Sequence, residues 1–317
     1  MDQLLTGLRA AAEPTRLRII ALCGHGELTA SELTRILGQS QPRVSRHLKL
    51  LCEAGLLDRF QEGTWAFFHL PVAGPGADLV RILIGRLPGD DPTIQRDAQR
   101  LQVIKDERAE RANTYFGENA ARWDRIRALH VDEDEVEQAL VAMLPEQPVK
   151  NLLDIGTGTG RVLQLLERHV DHALGLDLSR EMLAVARANL AEARYAHCAL
   201  RQADMYQLPV AESSFDLIVL HMVLHYSDRP ADVIAEAARA LAPGGHFLIV
   251  DFAPHAMEVL RDEHAHRRLG FAHQEVEAWC LDYGLDVVEV RDLAGDPLTV
   301  SIWKTNSPQP VAAQTAA

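Results

Sequence analysis

Three glycines at alternate positions are the sequence feature with the clearest chemical potential. Gly156, Gly158 and Gly160 follow the apolar run LLDI, in which Asp154 ends a predicted buried strand. Glycines let the backbone approach a ligand closely, and open α/β sheets hold ligands at the carboxyl ends of their strands. A dinucleotide loop would read GxGxxG, but residue 161 is Arg. The loop therefore predicts a ligand site. A nicotinamide-binding site is the less favoured interpretation, because the glycine spacing departs from the dinucleotide pattern.

Two further aspartates follow the next two predicted strands. Asp177 ends HALGLDL, about twenty residues after the glycines, and Asp204 ends ALRQAD. An acid at the position of Asp177 can accept two hydrogen bonds from ribose hydroxyls. The alternative is a structural cap of the following helix, as Asp177 before SREMLAVARANL would be. Three acids at three successive strand ends favour a ligand site.

A parallel sheet is needed to bring these strand ends together. Strand-like and helix-like segments alternate from NLLDIG to HFLIVDF, a pattern typical of a parallel sheet with helices on both faces. An insertion at 254–272 precedes a helix, QEVEAWCLDYG, and two β-rich runs. Residues 94 to about 144 have a charged helical pattern. The fold class predicted for this part is α/β.

The N-terminal part has a different pattern, that of three short helices and a hairpin. EPTRLRIIALC predicts a helix ending at Gly24, and Thr29-Ala30-Ser31-Glu32 is a capping box for SELTRIL. We expect Ser40 to cap QPRVSRHLKLLCEAG, and Glu62-Gly63 predicts the turn of a hairpin. These elements predict a winged helix-turn-helix.

Composition and charge support two domains. The 317 residues carry a net charge of −13, but residues 1–70 hold 8 Lys/Arg against 7 Asp/Glu, which leaves 24 against 38 for the rest. Only the N-terminal part is therefore a plausible partner for nucleic acid. We predict a DNA-binding domain at 1–92, an α/β domain at 93–305 with a helical cap at 93–148, and a disordered tail at 306–317.

The sequence also predicts the compartment and the role of the cysteines. No apolar run is long enough to span a membrane, and MDQLLTGLRAAAEP lacks the features of a signal peptide, so we expect a cytoplasmic protein. Cys23, Cys52, Cys198 and Cys280 lie far apart without a CxxC pair. We expect them to be buried apolar fillers, with no disulfide and no metal site.

The α/β motifs, taken in order, resemble those of class I S-adenosylmethionine (SAM) dependent methyltransferases. The resemblance covers roughly residues 110 to 304 and rests on LLDIGTGTG, HALGLDL, ALRQAD, FDLIVLHMVLHY and LAPGGHFLIVDF. It implies a Rossmann-like domain with a mostly parallel seven-stranded sheet. It also implies SAM as cofactor and S-adenosylhomocysteine as product.

The resemblance implies roles for the motif residues. Gly156 and Gly158 would line the methionine moiety, with Asp154 orienting its ammonium group. Asp177 would bind the ribose, and Asp204 would receive the adenine amino group.

Other residues would complete this pocket. Leu178 and Met205 would sandwich the adenine, Gly160 belongs to the same glycine loop, and the backbone near His221 would lie beside the sulfonium. An acidic site suits SAM, which is cationic at its sulfonium and amine.

Methyl transfer is an in-line displacement at an activated carbon, so catalysis can rest on positioning alone. His225, Tyr226 and Tyr115 are the candidates to orient an acceptor, and a packing role is the alternative for each. The insertion would form a lid over the acceptor, and its polar residues are His264, His266, Arg267 and Arg268. We expect no metal there, because the two histidines of His-x-His on a helix point in divergent directions.

Residues 12 to 72 resemble the ArsR/SmtB family of winged-helix repressors through LTASELTRILGQSQPRVSRHLKLLCEAGLLDRFQEGTWAFFHL. The resemblance implies a recognition helix in the major groove of operator DNA, with Arg59 and the wing on the flanking phosphates. The alternative is that the charged residues of this helix only form a solvent-exposed face and do not contact DNA. The residues implied to face DNA on that helix are Gln41, Arg43, Ser45, Arg46, His47 and Lys49.

The sequence departs from the family where many members bind metal. They carry cysteines in a pattern like ELCVCDL, whereas this chain reads ELTASEL, so metal sensing is not expected. Family members dimerise through their outer helices, here around residues 4–22 and 77–87. We expect a homodimer that reads two half-sites.

Three functions remain in competition. The favoured one is a DNA-binding regulator whose methyltransferase domain turns over an unidentified, small-molecule acceptor. The second is a repressor that uses the domain only to sense SAM or S-adenosylhomocysteine. The third is an enzyme whose winged helix recruits a partner, which the basic recognition helix argues against.

Overall fold

The structure, a computed structural model, describes residues 1–62, 64–71, 74–120 and 132–308. The chain divides into two units, Met1–Arg111 and Ala112–Ala317. Parts of three predicted features lie outside the described residues: Gly63 of the hairpin turn, residues 121–131 of the helical cap, and residues 309–317 of the tail. Asn306, placed in the predicted tail, is instead the last residue of a strand.

The N-terminal unit has the helices and hairpin of a winged helix-turn-helix. A core of aliphatic side chains, including Ile19, Leu33 and Leu51, joins these elements. The strands form a small antiparallel sheet in the order β1-β3-β2. The elements are α1 (Asp2–Ala11), α2 (Pro14–Cys23), β1 (Leu28–Thr29), α3 (Ala30–Leu37), α4 (Gln41–Glu53), β2 (Asp58–Glu62), β3 (Trp65–His69), α5 (Pro75–Ile84) and the start of α6 (Pro92–Asn119).

The helix ends follow from local sequence signals. The capping box of α3 is confirmed, because the Glu32 N–H donates to Thr29 and the Glu32 carboxylate accepts the Thr29 N–H. Gly38 ends α3 with a φ of +64°, a conformation that favours glycine. The helix α4 begins after Ser40 as predicted, but the Ser40 side chain makes no capping hydrogen bond. Pro42, in the first turn, has no N–H to satisfy there.

The predicted domain boundary at residue 92 differs from the division that the structure makes. The first part of α6, Pro92 to Arg111, belongs to the N-terminal unit. Asp97 accepts from Arg18 of α2 at 2.5 and 2.7 Å, and Leu101 and Ile104 are buried in the core of this unit. Residues 93–111, whose charged pattern predicted part of a cap over the second domain, are therefore packed in the first domain.

The C-terminal unit is the predicted α/β layer structure. Its helices are α7 (Glu133–Ala142), α8 (Arg161–Leu166), α9 (Arg180–Asn189), α10 (Pro230–Ala240), α11 (Val259–Glu263) and α12 (His273–Asp282). Its strands are β4 (Val149–Ile155), β5 (Val170–Asp177), β6 (Cys198–Gln202), β7 (Phe215–His221), β8 (Leu241–Phe252), β9 (Asp286–Ala294) and β10 (Thr299–Asn306).

Seven strands make one sheet in the order β6-β5-β4-β7-β8-β10-β9. The first five are parallel, whereas β10 is antiparallel to both of its neighbours. Alternate residues of β4 enter different cores, with Leu152 on one face and Leu153 on the other. The predicted mostly parallel seven-stranded sheet is confirmed. Its topology brings the carboxyl ends of β5, β4, β7 and β8 side by side.

No helix among the described residues is both long and apolar enough to cross a membrane.

Candidate functional site

The glycine loop follows β4 and bends in a way that only glycine tolerates well. Gly156, Gly158 and Gly160 have φ values of +73°, +54° and +82°. The N–H groups of Gly156 and Thr157 donate to the Leu176 carbonyl at 2.7 and 2.8 Å, which ties the loop to β5. A Cβ on Gly156 would lie 2.4 Å from Val223, so no larger residue fits.

Asp177, at the end of β5, links the glycine loop to the following helix. One carboxylate oxygen accepts from the Gly158 N–H and the other from the Ser179 N–H, each at 2.8 Å. Burial raises the pKa of Asp177, although the backbone N–H groups that it accepts act in the opposite direction. Each oxygen keeps a further lone pair, so the carboxylate can also accept hydroxyl donors. The helix is capped by Ser179, not by Asp177.

The residues predicted to hold an adenine ring lie next to Asp177. Leu178 is 50% exposed, and the Asp177 carbonyl accepts from the Ala203 N–H at 3.0 Å, which places the Asp204 segment beside it. Asp204 is exposed and accepts from the Tyr206 N–H at 2.9 Å, and Met205 is half-buried against the core. Leu178, Asp204 and Met205 therefore lie at the same edge of the sheet as Asp177.

Asp154 and His221 lie where their strands predict. Asp154 is buried near the end of β4, and His221 is half-buried at the end of the neighbouring strand β7. Met222, the next residue, has a φ of +55°, which turns the chain sharply at this edge. These residues share the strand edge of the glycine loop.

His225 pairs with Asp251, a residue that the sequence analysis did not select. The His225 Nδ1 lies 2.8 Å from one carboxylate oxygen of Asp251, and both side chains are fully buried, at 2% and 0% exposure. Asp251 also accepts the backbone N–H groups of His225 and Phe252. The available signal was an acid inside the apolar run HFLIVDF, since a buried acid needs partners.

Of the two candidate tyrosines, Tyr226 packs against His225, whereas Tyr115 contacts His264 of the insertion. The Tyr226 ring is 4.1 Å from the His225 ring, and the Tyr115 hydroxyl lies 2.7 Å from Nδ1 of His264. Burial raises the pKa of Tyr115 to about 12 and that of Tyr226 well above its ordinary value. Both hydroxyls therefore stay protonated at neutral pH.

The insertion is built differently from the prediction. His264 and His266 do not lie on one helix, because α11 ends at Glu263. His266 stacks on His225 with ring centroids 4.0 Å apart. Arg267 and Arg268 are buried and pair with the acids Asp228 and Glu275.

The helix α4 exposes most of the residues predicted to face DNA. His47 is the exception, because it is half-buried and its Nδ1 lies 3.6 Å from the Glu13 carboxylate. Lys49 pairs with Glu53 at 3.8 Å, and Arg59 on β2 is exposed and donates to Gln61. The exposed residues of the helix are Gln41, Arg43, Ser45, Arg46 and Lys49.

All four cysteines are free. Cys23 and Cys280 are buried as predicted, whereas Cys52 and Cys198 are half-buried. In the described parts of the chain, no group of three His, Cys, Asp or Glu side chains has metal-binding geometry.

Comparison with known proteins identifies both domains. Residues 153–249 match the family described as a methyltransferase domain, and residues 13–59 match the arsR family of bacterial regulatory proteins.

Two curated enzymes and one solved structure resemble the C-terminal part. A malonyl-[acyl-carrier protein] O-methyltransferase from Marinomonas sp. (strain MWYL1) is 27% identical over 61% of this chain and 73% of its own. A demethylmenaquinone methyltransferase from Thermus thermophilus is 32% identical over 44% of this chain and 64% of its own. A Haloferax volcanii methyltransferase, solved with the Trm112 activator, shares the fold with a TM-score of 0.52, at 21% identity over 61% of this chain and 98% of its own.

The fold and the strand-edge site define a class I methyltransferase domain that follows a winged helix-turn-helix. Residues 153–249 therefore belong to a methyltransferase domain, and residues 13–59 to a regulatory domain of the arsR type.

Proposed function

We propose that this chain is a DNA-binding transcriptional regulator whose methyltransferase domain transfers a methyl group from SAM to a small-molecule acceptor. The observation that carries the SAM site is Asp177, whose carboxylate joins the glycine loop to the next helix and keeps lone pairs for ribose hydroxyls. Bound SAM would supply an activated methyl group. The protein would hold SAM in position. Asp177 would bind the ribose, Leu178 and Met205 would contact the adenine, and the glycine loop would line the methionine end.

The DNA-binding half of the proposal rests on the exposed face of α4. Arg43 and Arg46 are three residues apart, so they share a face and can reach base edges or phosphates together. His47 contributes less to this face, because it is directed toward Glu13. Operator DNA as the partner also implies a cytoplasmic location.

The homodimer belongs to the same proposal. Leu4, Leu5 and Leu8 of α1 are 51%, 40% and 41% exposed, and Ile82 of α5 is 62% exposed. The two helices are in close contact, because a Cβ on Gly7 would lie 2.7 Å from Leu79. An exposed apolar surface on packed outer helices fits a second copy of this chain.

Calorimetric titration with SAM and S-adenosylhomocysteine, with and without the protein's own promoter DNA, tests the proposal. Asp177→Ala should abolish SAM binding and leave DNA binding, and the double variant Arg43→Ala with Arg46→Ala should do the reverse. Wild-type SAM affinity in the first variant, or wild-type DNA affinity in the second, would contradict the corresponding site. Binding of SAM without methyl transfer to any acceptor would favour a sensor over an enzyme.

A further inference from the structure

The pair of His225 and Asp251 has a geometry that a packing role does not require. Asp251 accepts three N–H groups, two from the backbone and one from the His225 ring. A carboxylate can only accept, so the proton of the neutral imidazole lies on Nδ1 and Nε2 carries a lone pair. The Nε2 atom is buried, and no hydrogen-bond partner for it lies among the described residues. A buried acceptor that lacks a partner loses its hydrogen bonds to water without replacing them, which points to a role beyond packing.

The pair also lies beside the glycine loop. Val223, two residues before His225, is the residue that a Cβ on Gly156 would strike. The short 3₁₀ helix Leu224–Tyr226 follows directly and carries His225. Asp251 lies at the carboxyl end of β8, next to β7 in the sheet. His225 therefore lies at the strand edge that carries the glycine loop, where the methyl group would be delivered.

We propose that His225, held by Asp251, is the general base of methyl transfer, and that the acceptor is a neutral phenol that loses its proton in the reaction. This inference rests on the proposed function and names the substrate class for the same site. The acceptor oxygen bonds to the methyl carbon while its proton passes to Nε2 of His225. The carbon–sulfur bond of SAM breaks with its electron pair on sulfur, so S-adenosylhomocysteine leaves neutral and the positive charge resides on the imidazolium beside Asp251.

The neighbouring groups favour His225 as the base over the other candidates. Tyr226 and Tyr115 hold their protons, because burial raises the pKa of both hydroxyls. His266 stacks on the His225 ring. Arg267 and Arg268, whose backbone N–H groups donate to the His225 carbonyl, direct their guanidinium groups to Asp228 and Glu275. Asp251 is a charged side chain that contacts the base directly, through Nδ1 of His225.

The surroundings also favour an aromatic acceptor. The rings of Tyr226, His266 and Phe252 lie 4.0 to 5.4 Å from the His225 ring, and Phe116 packs edge-on against Tyr226 at 4.8 Å. His266 occupies the face of the His225 ring, whereas the lone pair of Nε2 lies in the ring plane, so an acceptor ring would approach at the edge of His225 and pack against its aromatic neighbours. A phenol, with a pKa of about 10, is within range of an imidazole, whereas an aliphatic alcohol is too weak an acid.

Methyl transfer from tritiated SAM to two phenols tests the inference. The probes are 4-methoxyphenol, which is neutral at about pH 7, and 4-nitrophenol, which is more acidic and can ionise without a base. His225→Gln and Asp251→Asn should slow transfer to 4-methoxyphenol by about 10²- to 10⁴-fold, and slow transfer to 4-nitrophenol much less. The variant rates on 4-methoxyphenol should rise about tenfold per pH unit, since the phenolate then forms in solution.

Measurements of SAM affinity and thermal unfolding distinguish the loss of the general base from the loss of SAM binding or of folding. Both variants should bind SAM like the wild type, and His172→Gln, at the opposite end of β5, should leave every rate unchanged. If Asp251→Asn does not fold, His225→Gln carries the test. If the variants lose the same fraction of the methyl-transfer rate on both phenols, and the rate does not recover at high pH, the assignment of His225 as the general base is wrong. A wild-type protein that binds SAM but methylates neither phenol would overturn the inference, whereas failure to bind SAM and S-adenosylhomocysteine would overturn the proposed function itself.

Discussion

At the scale of single residues, Asp177 has the most direct link between environment and binding. Its carboxylate is held by the N–H groups of Gly158 and Ser179, and its pKa is raised by burial. An ionised carboxylate can accept two ribose hydroxyls, but a protonated one loses part of that capacity.

We predict that SAM affinity falls as pH decreases through the raised pKa of Asp177, at a higher pH than an ordinary aspartate would give. Above that pKa the carboxylate is ionised and the affinity is full. Calorimetric titration between about pH 8 and about pH 4 measures the effect. Asp171→Asn, on the exposed opposite end of β5, should keep this profile. A wild-type affinity that stays constant over the whole range would contradict the prediction.

Gly156 offers a second prediction, in which backbone strain is separated from crowding. Gly156 and Gly284 both have a φ of +73°, but only at Gly156 would a Cβ meet another side chain, at 2.4 Å from Val223. Gly284→Ala should cost about 1–2 kcal/mol from strain alone. Gly156→Ala should cost a further ~1–3 kcal/mol from crowding. Denaturant unfolding of the C-terminal domain checks this, and equal midpoints for the two variants would argue against the contact.

At the scale of elements, the caps of α3 and α4 make a matched pair. Thr29 accepts the Glu32 N–H, whereas the Ser40 side chain makes no capping hydrogen bond. Thr29→Ala should therefore destabilise the N-terminal domain by about 1 kcal/mol, and Ser40→Ala should stay within about 0.5 kcal/mol of wild type. Chemical denaturation followed by circular dichroism measures both. A Ser40→Ala loss as large as that of Thr29→Ala would disagree with the observed caps.

The elements themselves were largely predictable because their signals are local. The capping box, Gly24 and Gly38 placed the ends of two helices, and alternating strand and helix patterns placed the sheet. The role of α6 was not predictable in the same way. Its first part is charged and faces Arg18 through Asp97, a partner 79 residues away. Helical periodicity identifies such a helix, but it does not say which domain the helix packs against.

At the scale of the whole molecule, the exposed leucines of α1 predict the oligomeric state. Leu4→Glu with Leu8→Glu should convert the dimer to a monomer and weaken operator binding, because charges would be buried in the proposed interface. Leu281→Glu, at a 69% exposed position in the C-terminal domain, is the control and should leave the dimer intact. Sedimentation analysis measures the state. A wild-type monomer at concentrations that support DNA binding would rule out the interface.

The residues of the candidate site were predictable to different degrees. The glycines and Asp177 lie within a few residues of strand ends, so strand prediction alone placed them together. His47 was predicted to face DNA, but its half-buried position beside Glu13 depends on how α2 packs against α4. His264 and His266 were assigned to a helix that ends before them. These differences arise where a neighbouring element, and not the local sequence, decides the direction of a side chain.

The sequence by itself determined the two domains, the sheet class, the glycine loop and the acidic strand ends, because these depend on short-range periodicity and on the conformational freedom of glycine. Only the tertiary structure decided that Asp251 holds His225, 26 residues away, and that Tyr115 reaches His264, 149 residues away. Such contacts depend on which strands are neighbours and on how the insertion folds over them. Local sequence patterns do not show which distant residues meet in the fold. For this reason the pairing of His225, the proposed general base, with Asp251 could be found only in the tertiary structure.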